Sequence, residues 1–543
     1  MSATDRFRAL AEDVVDEALA ADPVLATYLG DHRFDALLPD LSEAALDARL
    51  RTIDVQVTAL DAIDDVELDV ADLVDLEILR AALLRESFEL DDVRRREWDP
   101  MVWNPGTALH LLVSRDFASE EERAASLRGR VAMVPAHFEE ARSALQEMSA
   151  IHLETAVAQL AGTRHLVDTD VRAMVQDDEQ VARTLASIDA FGDWLRERLP
   201  SAQRDPRLGT HLYDGALWHA LDDGLDAERL LAEATEHLDA VVETMEETAR
   251  EYLGGQGAGD DGIRAALDEI ARSAPVDDGT VLALMEEALQ RTAAFAAENG
   301  LVTVPDLQTR LIEMPEIHRG VAVAYCDAPG PLETAPIATS VAVAPTPTSW
   351  DDARVASFYR EYNGIQLHDL AVHEGVPGHV LQLAHARALQ SPTRVRRFGR
   401  SGVFIEGWAV YVEELMVERG YAPADDARSA RAFRLQQLKM QARSCINAIL
   451  DVGVHAAGMT EDEAMHLMTV RGFQEVGEAA GKWRRALLTS AQLPTYFVGY
   501  RAVRSMAADL RVLHPEWDDR SVHDLMLSFG SPAPRHLRTL LGI

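Results

Sequence analysis

At 543 residues and 47% hydrophobic content, the chain is long enough to bury a substantial core, and its formal net charge of −39 argues against nucleic acid or an anionic membrane as partner, since binding either needs a positive surface. Its two cysteines, Cys326 and Cys445, are far apart and outside any C-x-x-C pattern, which excludes a disulfide framework and a thiolate zinc site. The first residues lack an apolar signal core and no apolar run approaches the roughly 20 residues that span a bilayer, so the sequence predicts a soluble cytoplasmic protein.

Helical periodicity dominates from the start. It predicts helices over 5–21, 43–62, 70–90, 120–148, 151–161, 170–199 and 226–252. The glycine-rich stretch 254–262 follows as the clearest linker, with no strand before it and no Gly-Lys-Ser/Thr after it, so it is not a phosphate loop. We therefore expect an N-terminal helical subdomain over 1–255 and a second, catalytic subdomain over 263–543. The helical pattern breaks at 320–325 and 337–344, two short apolar runs bounded by prolines that read as strands. An exposed strand edge there could pair with an extended peptide; the alternative is a small sheet that only braces the subdomain. A helix over 353–376 comes next, and Gln382, Leu383 and His385 follow on a second helical run.

Near the end of that helix lies His373-Glu374-Gly-Val-Pro-Gly-His379, two imidazoles and a carboxylate within seven residues. A hydrolytic metal site needs neutral imidazole ligands and a carboxylate to take a proton from water. In H-E-x-x-H the histidines are four apart and share a helical face. Here they are six apart, which at about 100° per residue places them about 240° apart on an undisturbed helix. Pro377 removes a helical donor, and Gly375 and Gly378 loosen the backbone, so we expect a bulge or widened turn that returns His379 to the side of His373.

A third ligand is expected downstream. Phe404, Trp408, Tyr411 and Leu415 have helical apolar spacing, while Glu406 and Glu413 share a face seven residues apart. A glutamate inside an apolar helix is costly unless paired, protonated or metal-bound. Glu406 is the candidate ligand; Glu413 and Glu414 are outer partners or solvated charges. Asp369, one turn before His373, either accepts the second ring N–H of His373 or is a simple helix charge.

The combination H-E-x-x-P-G-H, then E-G-W-A-x-Y, then D-x-G-x-H (Asp451 to His455) resembles the bacterial family catalogued as domain of unknown function 885. That family in turn resembles the gluzincin metallopeptidases, whose metal helix reads H-E-x-G-H in the oligopeptidase and carboxypeptidase branches. The resemblance implies a mainly α fold, large and helical around a deep groove, with a small β-sheet near the metal helix. It also implies one zinc ion on His373, His379 and Glu406, and a downstream tyrosine as oxyanion donor.

Glu374 would be the general base. Tyr496 and Tyr500, one turn apart behind Pro494, either aid the oxyanion or pack in the core. His455 either lines the cleft as a second donor or is held buried by Asp451, four residues earlier. Arg443, Arg501 and Arg504 are candidates to grip a substrate carboxylate, against the plainer reading of surface charges or partners of an acidic helix. Lys439 and Lys482 are the only lysines. The function expected is zinc-dependent hydrolysis of short peptides or small amides. The alternative is a peptide-binding or scaffold protein on an inactive peptidase fold, motivated by histidines that the Pro-Gly insertion would misalign.

Overall fold

The computed structural model describes residues 2–314, 323–347 and 350–543. The chain divides into two compact units. The first combines the chain up to Pro206 with Pro329–Ile337 and Gln390–Gly399; the second comprises Arg207–Ala328, Ala338–Leu389 and Arg400–Ile543. The fold is mainly α with a small sheet, as the sequence predicts. The division falls at 206/207 rather than in the glycine stretch. The reason is packing: the helix Ala227–Tyr252 lies along the helix Ala427–His455, and the glycines only join it to the next helix of the same unit, Gly259–Ser273. No described helix is long and apolar enough to cross a membrane.

In the first unit Trp103, Phe138, Phe191, Leu109 and Leu127 centre one apolar core. Buried Arg130 organises its edge by donating to the carbonyls of Leu37 and Ala108 and to the Thr27 hydroxyl. The late segments are tied in by charge. Asp75 accepts from Arg396 at 2.8 Å and from Thr393 at 2.7 Å, while His32 bridges Asp35 and Glu333 at 2.9 and 2.8 Å.

The second unit carries the sheet, in the order β1 (Thr309–Glu313), β3 (Thr339–Val343), β2 (Ala324–Asp327). β1 pairs parallel with β3, and β2 antiparallel. The predicted strand over 337–344 is β3. Of the one predicted over 320–325, residues 320–322 lie outside the described residues, and β2 begins at Ala324. β1 is additional to the expected strands; its Thr-Arg-Leu-Ile-Glu sequence shows too little alternation to declare a strand.

Two helix boundaries position the histidine segment and its neighbours. The single helix expected over 353–376 is two, Asp352–Glu361 and Gly364–Glu374. Asn363 separates them because its Oδ1 accepts from the backbone of Ile365 and Gln366, capping the second helix. The helix Gly402–Glu418 crosses Pro494–Leu513 at glycine on glycine: a Cβ on Gly407 would lie 2.2 Å from the Gly499 carbonyl carbon, and one on Gly499 would lie 2.0 Å from the Val403 oxygen.

Candidate metal centre

His373 closes the helix Gly364–Glu374, and His379 opens the helix His379–Ala388. The expected deformation is therefore larger than a bulge: the helix stops, and the Gly375–Gly378 turn restarts it. The turn folds back so tightly that a Cβ on Gly378 would meet the His373 oxygen at 2.0 Å. The Trp408 indole anchors it, donating to the Pro377 carbonyl at 2.9 Å. Where the helix Gly402–Glu418 meets its crossing partner, three consecutive residues of Glu-Gly-Trp thus take separate tasks. Glu406 supplies a carboxylate, Gly407 admits the neighbouring helix, and Trp408 pins the histidine turn.

The outcome is a cluster of three donors. One atom each from His373, His379 and Glu406 all lie within 4.8 Å of one another. Glu406 Oε2 stands 3.5 Å from His373 Nε2 and 3.6 Å from His379 Nε2, and the two rings face each other edge-on with centroids 4.7 Å apart. A tetrahedral ion with donor bonds of about 2.0–2.1 Å sets its donors about 3.3–3.4 Å apart. The two separations from Glu406 match that within a few tenths of an ångström, so these three residues could hold a metal ion. The misaligned histidines that motivated a binding scaffold do not arise.

Charge points the same way. Burial opposes ionisation of Glu406, but contacts with His373 and His379 outweigh it and hold the carboxyl well below its usual range. Burial likewise works against a proton on His373, yet Glu406 and Glu413 drive its pKa well above the ordinary value. Such a surplus of carboxylate is what a divalent cation neutralises, displacing the imidazole proton.

The partner that orients His373 is Glu413, not Asp369. Glu413 Oε1 accepts from His373 Nδ1 at 2.6 Å, which leaves Nε2 facing Glu406. Asp369 instead accepts from Gln366 at 3.2 Å. Its pKa is pushed well up, by burial and then by the charge of Glu413. Burial raises the pKa of Glu413 as well, with His373 opposing. The seven-residue step from Glu406 to Glu413 already marked both as neighbours on one helical face.

Glu374 is buried beside the cluster, where its charge acts on His373 and Glu413 and, across to β2, on Cys326. Tyr496 also reaches the cluster. Burial, and then the Glu406 charge, raise its phenol pKa, with His373 and Arg485 opposing. Tyr500 does not reach it. It accepts from Gln441 at 2.7 Å and donates to Glu414 at 2.9 Å, because a helical step of four carries it past the ligands.

His455 and Asp451 do not pair. His455 accepts from the Leu208 backbone and donates to the carbonyls of Ala486 and Thr489, stacked on Tyr213. Asp451 accepts from the Tyr213 hydroxyl and the Ala491 backbone, with its pKa pushed up by burial to about 7. Both are structural pins.

The three arginines are engaged elsewhere. Arg443 is buried against Glu478 and the Tyr362 hydroxyl, Arg501 pairs with Glu233, and Arg504 pairs with Glu414 at 3.0 Å. Arg501 and Arg504 line a surface cleft with Tyr500 and Glu418, away from the three donors. Sequence reasoning missed Arg485, which touches Tyr496, and Lys482 beside it. The signal available was a lysine in an otherwise arginine-only helix.

The family described as "Bacterial protein of unknown function (DUF885)" matches residues 23–541. The chain belongs to this family. Among solved structures, this DUF885 protein is similar to one described as "a putative lipoprotein of unknown function from Shewanella oneidensis", with 25% identity, TM-score 0.80, and 99% of this chain and 100% of that one covered. A second, "the putative lipoprotein from Colwellia psychrerythraea", aligns at 15% identity and TM-score 0.79 over 100% and 99% of the two chains. Both share its fold. An M32 carboxypeptidase from Deinococcus radiodurans R1 aligns at only TM-score 0.38 and 11% identity, over 99% and 94% of the chains. No curated protein sequence matches this DUF885 chain.

Proposed function

We propose that the protein is a zinc-dependent hydrolase of the amide bonds of short peptides. The observation that carries this reading is the convergence of His373, His379 and Glu406, one donor atom from each lying within 4.8 Å of the others, with Glu374 alongside. Two histidines and one glutamate are a hydrolytic zinc set that leaves a coordination position open. When bound, zinc would polarise the substrate carbonyl and acidify water. Every other role falls to the chain itself.

Glu374 accepts the proton of the attacking water and passes it to the leaving amine. Tyr496, kept neutral by its raised pKa, donates its hydroxyl hydrogen to the developing oxyanion. Glu413 fixes the His373 tautomer and ring orientation. β2 forms one edge of the sheet and lies against the helix Gly364–Glu374, so an extended peptide added to that edge would run beside Glu374.

Metal analysis of the purified protein and assay of Glu374→Gln on mixed peptides test this directly. Stoichiometric zinc with peptide turnover lost in the variant is the expected result. Unchanged turnover would remove Glu374 as base, and absence of tight zinc binding would end the proposal.

A further inference from the structure

The first unit encloses a cavity of about 940 Å³, and every residue lining it belongs to that unit. Its apolar wall comes from six helices, through Ala18, Val24, Leu46, Ala82, Met133 and Phe398. The last five of these are only half-buried, and Leu37 and Val102, also in the lining, are 45% and 40% exposed. Protein interiors leave few voids larger than a water molecule. Apolar side chains that converge on one space without filling it are surface left for a partner. A pocket of roughly 300–1,000 Å³ is the size that encloses a small organic ligand.

The charged part of the lining selects the ligand. It holds four carboxylates, Asp22, Asp40, Glu86 and Glu89, against two guanidiniums, Arg49 and Arg85. Arg49 is committed to Glu86 through two bonds of 2.6 Å, and Arg95, outside the lining, answers Glu89 at 3.1 Å. Arg85 is then left against both Asp22 and Asp40. Asp40 Oδ1 accepts the Ser42 amide at 3.0 Å. Asp22 Oδ1 accepts the amides of Val24 and Leu25 at 3.1 and 2.9 Å, while its Oδ2 takes neither a hydrogen bond nor an ion pair among the described residues. Behind the wall Arg130 acts on Asp22, but it acts on Asp35 as well, and it donates only to carbonyls and the Thr27 hydroxyl. The apolar walls raise the Asp22 pKa, and Glu86 adds to this against the two amides and Arg130. The net charge of −39 gives the surrounding field the same sign. An anionic head group would enlarge the surplus, and an ammonium would reduce it.

We propose that this cavity binds a hydrophobic amine, whose apolar body lies among Leu46, Ala82, Met133 and Phe398 and whose ammonium pairs with Asp22. The apolar wall supplies affinity, and the carboxylate surplus supplies the choice of head group. A fatty acid offers the same body with the wrong charge, and a fatty alcohol offers it with none. The site stands independently of the hydrolase reading, and its test needs no turnover.

Nile red, a neutral dye whose emission shifts to the blue in apolar surroundings, probes the site in the full chain. Dodecylamine, dodecanol and dodecanoate, each kept below its micelle concentration, then compete for it at neutral pH and low salt. Dodecylamine is expected to displace the dye at a concentration at least about threefold below dodecanol, the size of a partly exposed ion pair, with dodecanoate weakest. Asp22→Asn keeps a side chain that caps a helix, and it should remove the advantage of amine over alcohol while dodecanol binds as before. Ala82→Phe, which fills the cavity, should abolish dye uptake, and Ala45→Phe carries the same test if that variant fails to fold. Absence of displaceable dye in the wild type, or unchanged uptake in a folded filled variant, overturns the site. Dodecanol or dodecanoate binding as tightly as dodecylamine, or an amine preference that survives in Asp22→Asn, overturns the cationic ligand. If both filled variants unfold, the Asp22→Asn comparison decides alone: loss of the amine preference supports the site, and its survival overturns it.

Discussion

Replacing Gly407 by alanine tests the architecture of the centre without relying on activity. The added Cβ would lie 2.2 Å from the Gly499 carbonyl carbon and 2.5 Å from both its Cα and its oxygen. Carbon atoms in contact rest about 3.5 Å apart, so the two helices must part by about 1.3 Å (3.5 − 2.2). Backbone, unlike the end of a flexible side chain, cannot swing aside. Overpacking of this kind costs about 1–3 kcal/mol. The sign is diagnostic, because alanine is otherwise worth about 1 kcal/mol over glycine in a helix interior. Gly481→Ala supplies the control: it is an exposed helical glycine, and a methyl group there would meet nothing within 4 Å. Gly407→Ala should melt earlier than the wild type, whereas Gly481→Ala should melt later. Opening the crossing also moves Glu406 away from Tyr496, and a displacement of about 1 Å commonly costs about a hundredfold in rate. Zinc affinity measured by chelator competition should fall together with stability. A Gly407→Ala protein as stable as the wild type, with unchanged zinc affinity, would refute the crossing.

Glu413→Gln should weaken zinc binding by about 10–100-fold in the same competition assay, the usual cost of losing the carboxylate behind a ligating histidine, whereas Glu414→Gln, which touches Tyr500 and Arg504 instead, should leave it unchanged. Arg396→Met strands the buried Asp75 carboxylate and should cost about 3–5 kcal/mol in urea unfolding, with most of it recovered by adding Asp75→Asn. Stability should also depend on pH through His32, whose pKa is raised to about 9; burial alone would lower it, but Asp35 and Glu333 win. The folded state binds this proton more tightly than the unfolded one, so the contribution is complete below about pH 6.5 and is lost as pH rises through about 9, amounting to roughly 2–4 kcal/mol. Unfolding midpoints at pH 6 and pH 9.5 should differ in wild type by more than in His32→Gln, and parallel curves would remove the role of His32.

The convergence of His373, His379 and Glu406 was legible in the sequence because its chemistry is local. Histidines flank a Pro-Gly turn, and a glutamate recurs inside an apolar helix. The inference about Pro377 had the right direction but too small a scale, since periodicity describes helices and not how far a turn folds back. Partners set by tertiary packing were out of reach. Asp369 and Glu413 both sit at helical spacing from a ligand, and only the approach of the helix Gly402–Glu418 to His373 chooses Glu413. Spacing likewise favoured an Asp451–His455 pair, but Tyr213 and the Ala486–Thr489 carbonyls, distant in sequence, claim the two side chains first. The three arginines follow the plainer of their two readings, because in an acidic chain most find a carboxylate.

The first unit closes only when late segments join it. Glu333 completes the bridge at His32, and Thr393 and Arg396 supply both partners of Asp75. Expressing the chain up to Pro206 alone would deprive that aspartate of both partners. During synthesis, likewise, the partners of Asp75 appear only after the strands and both histidine helices of the other unit have been made. Genetic dissection of this protein should therefore graft the two short returning segments onto the N-terminal piece instead of simply cutting after it.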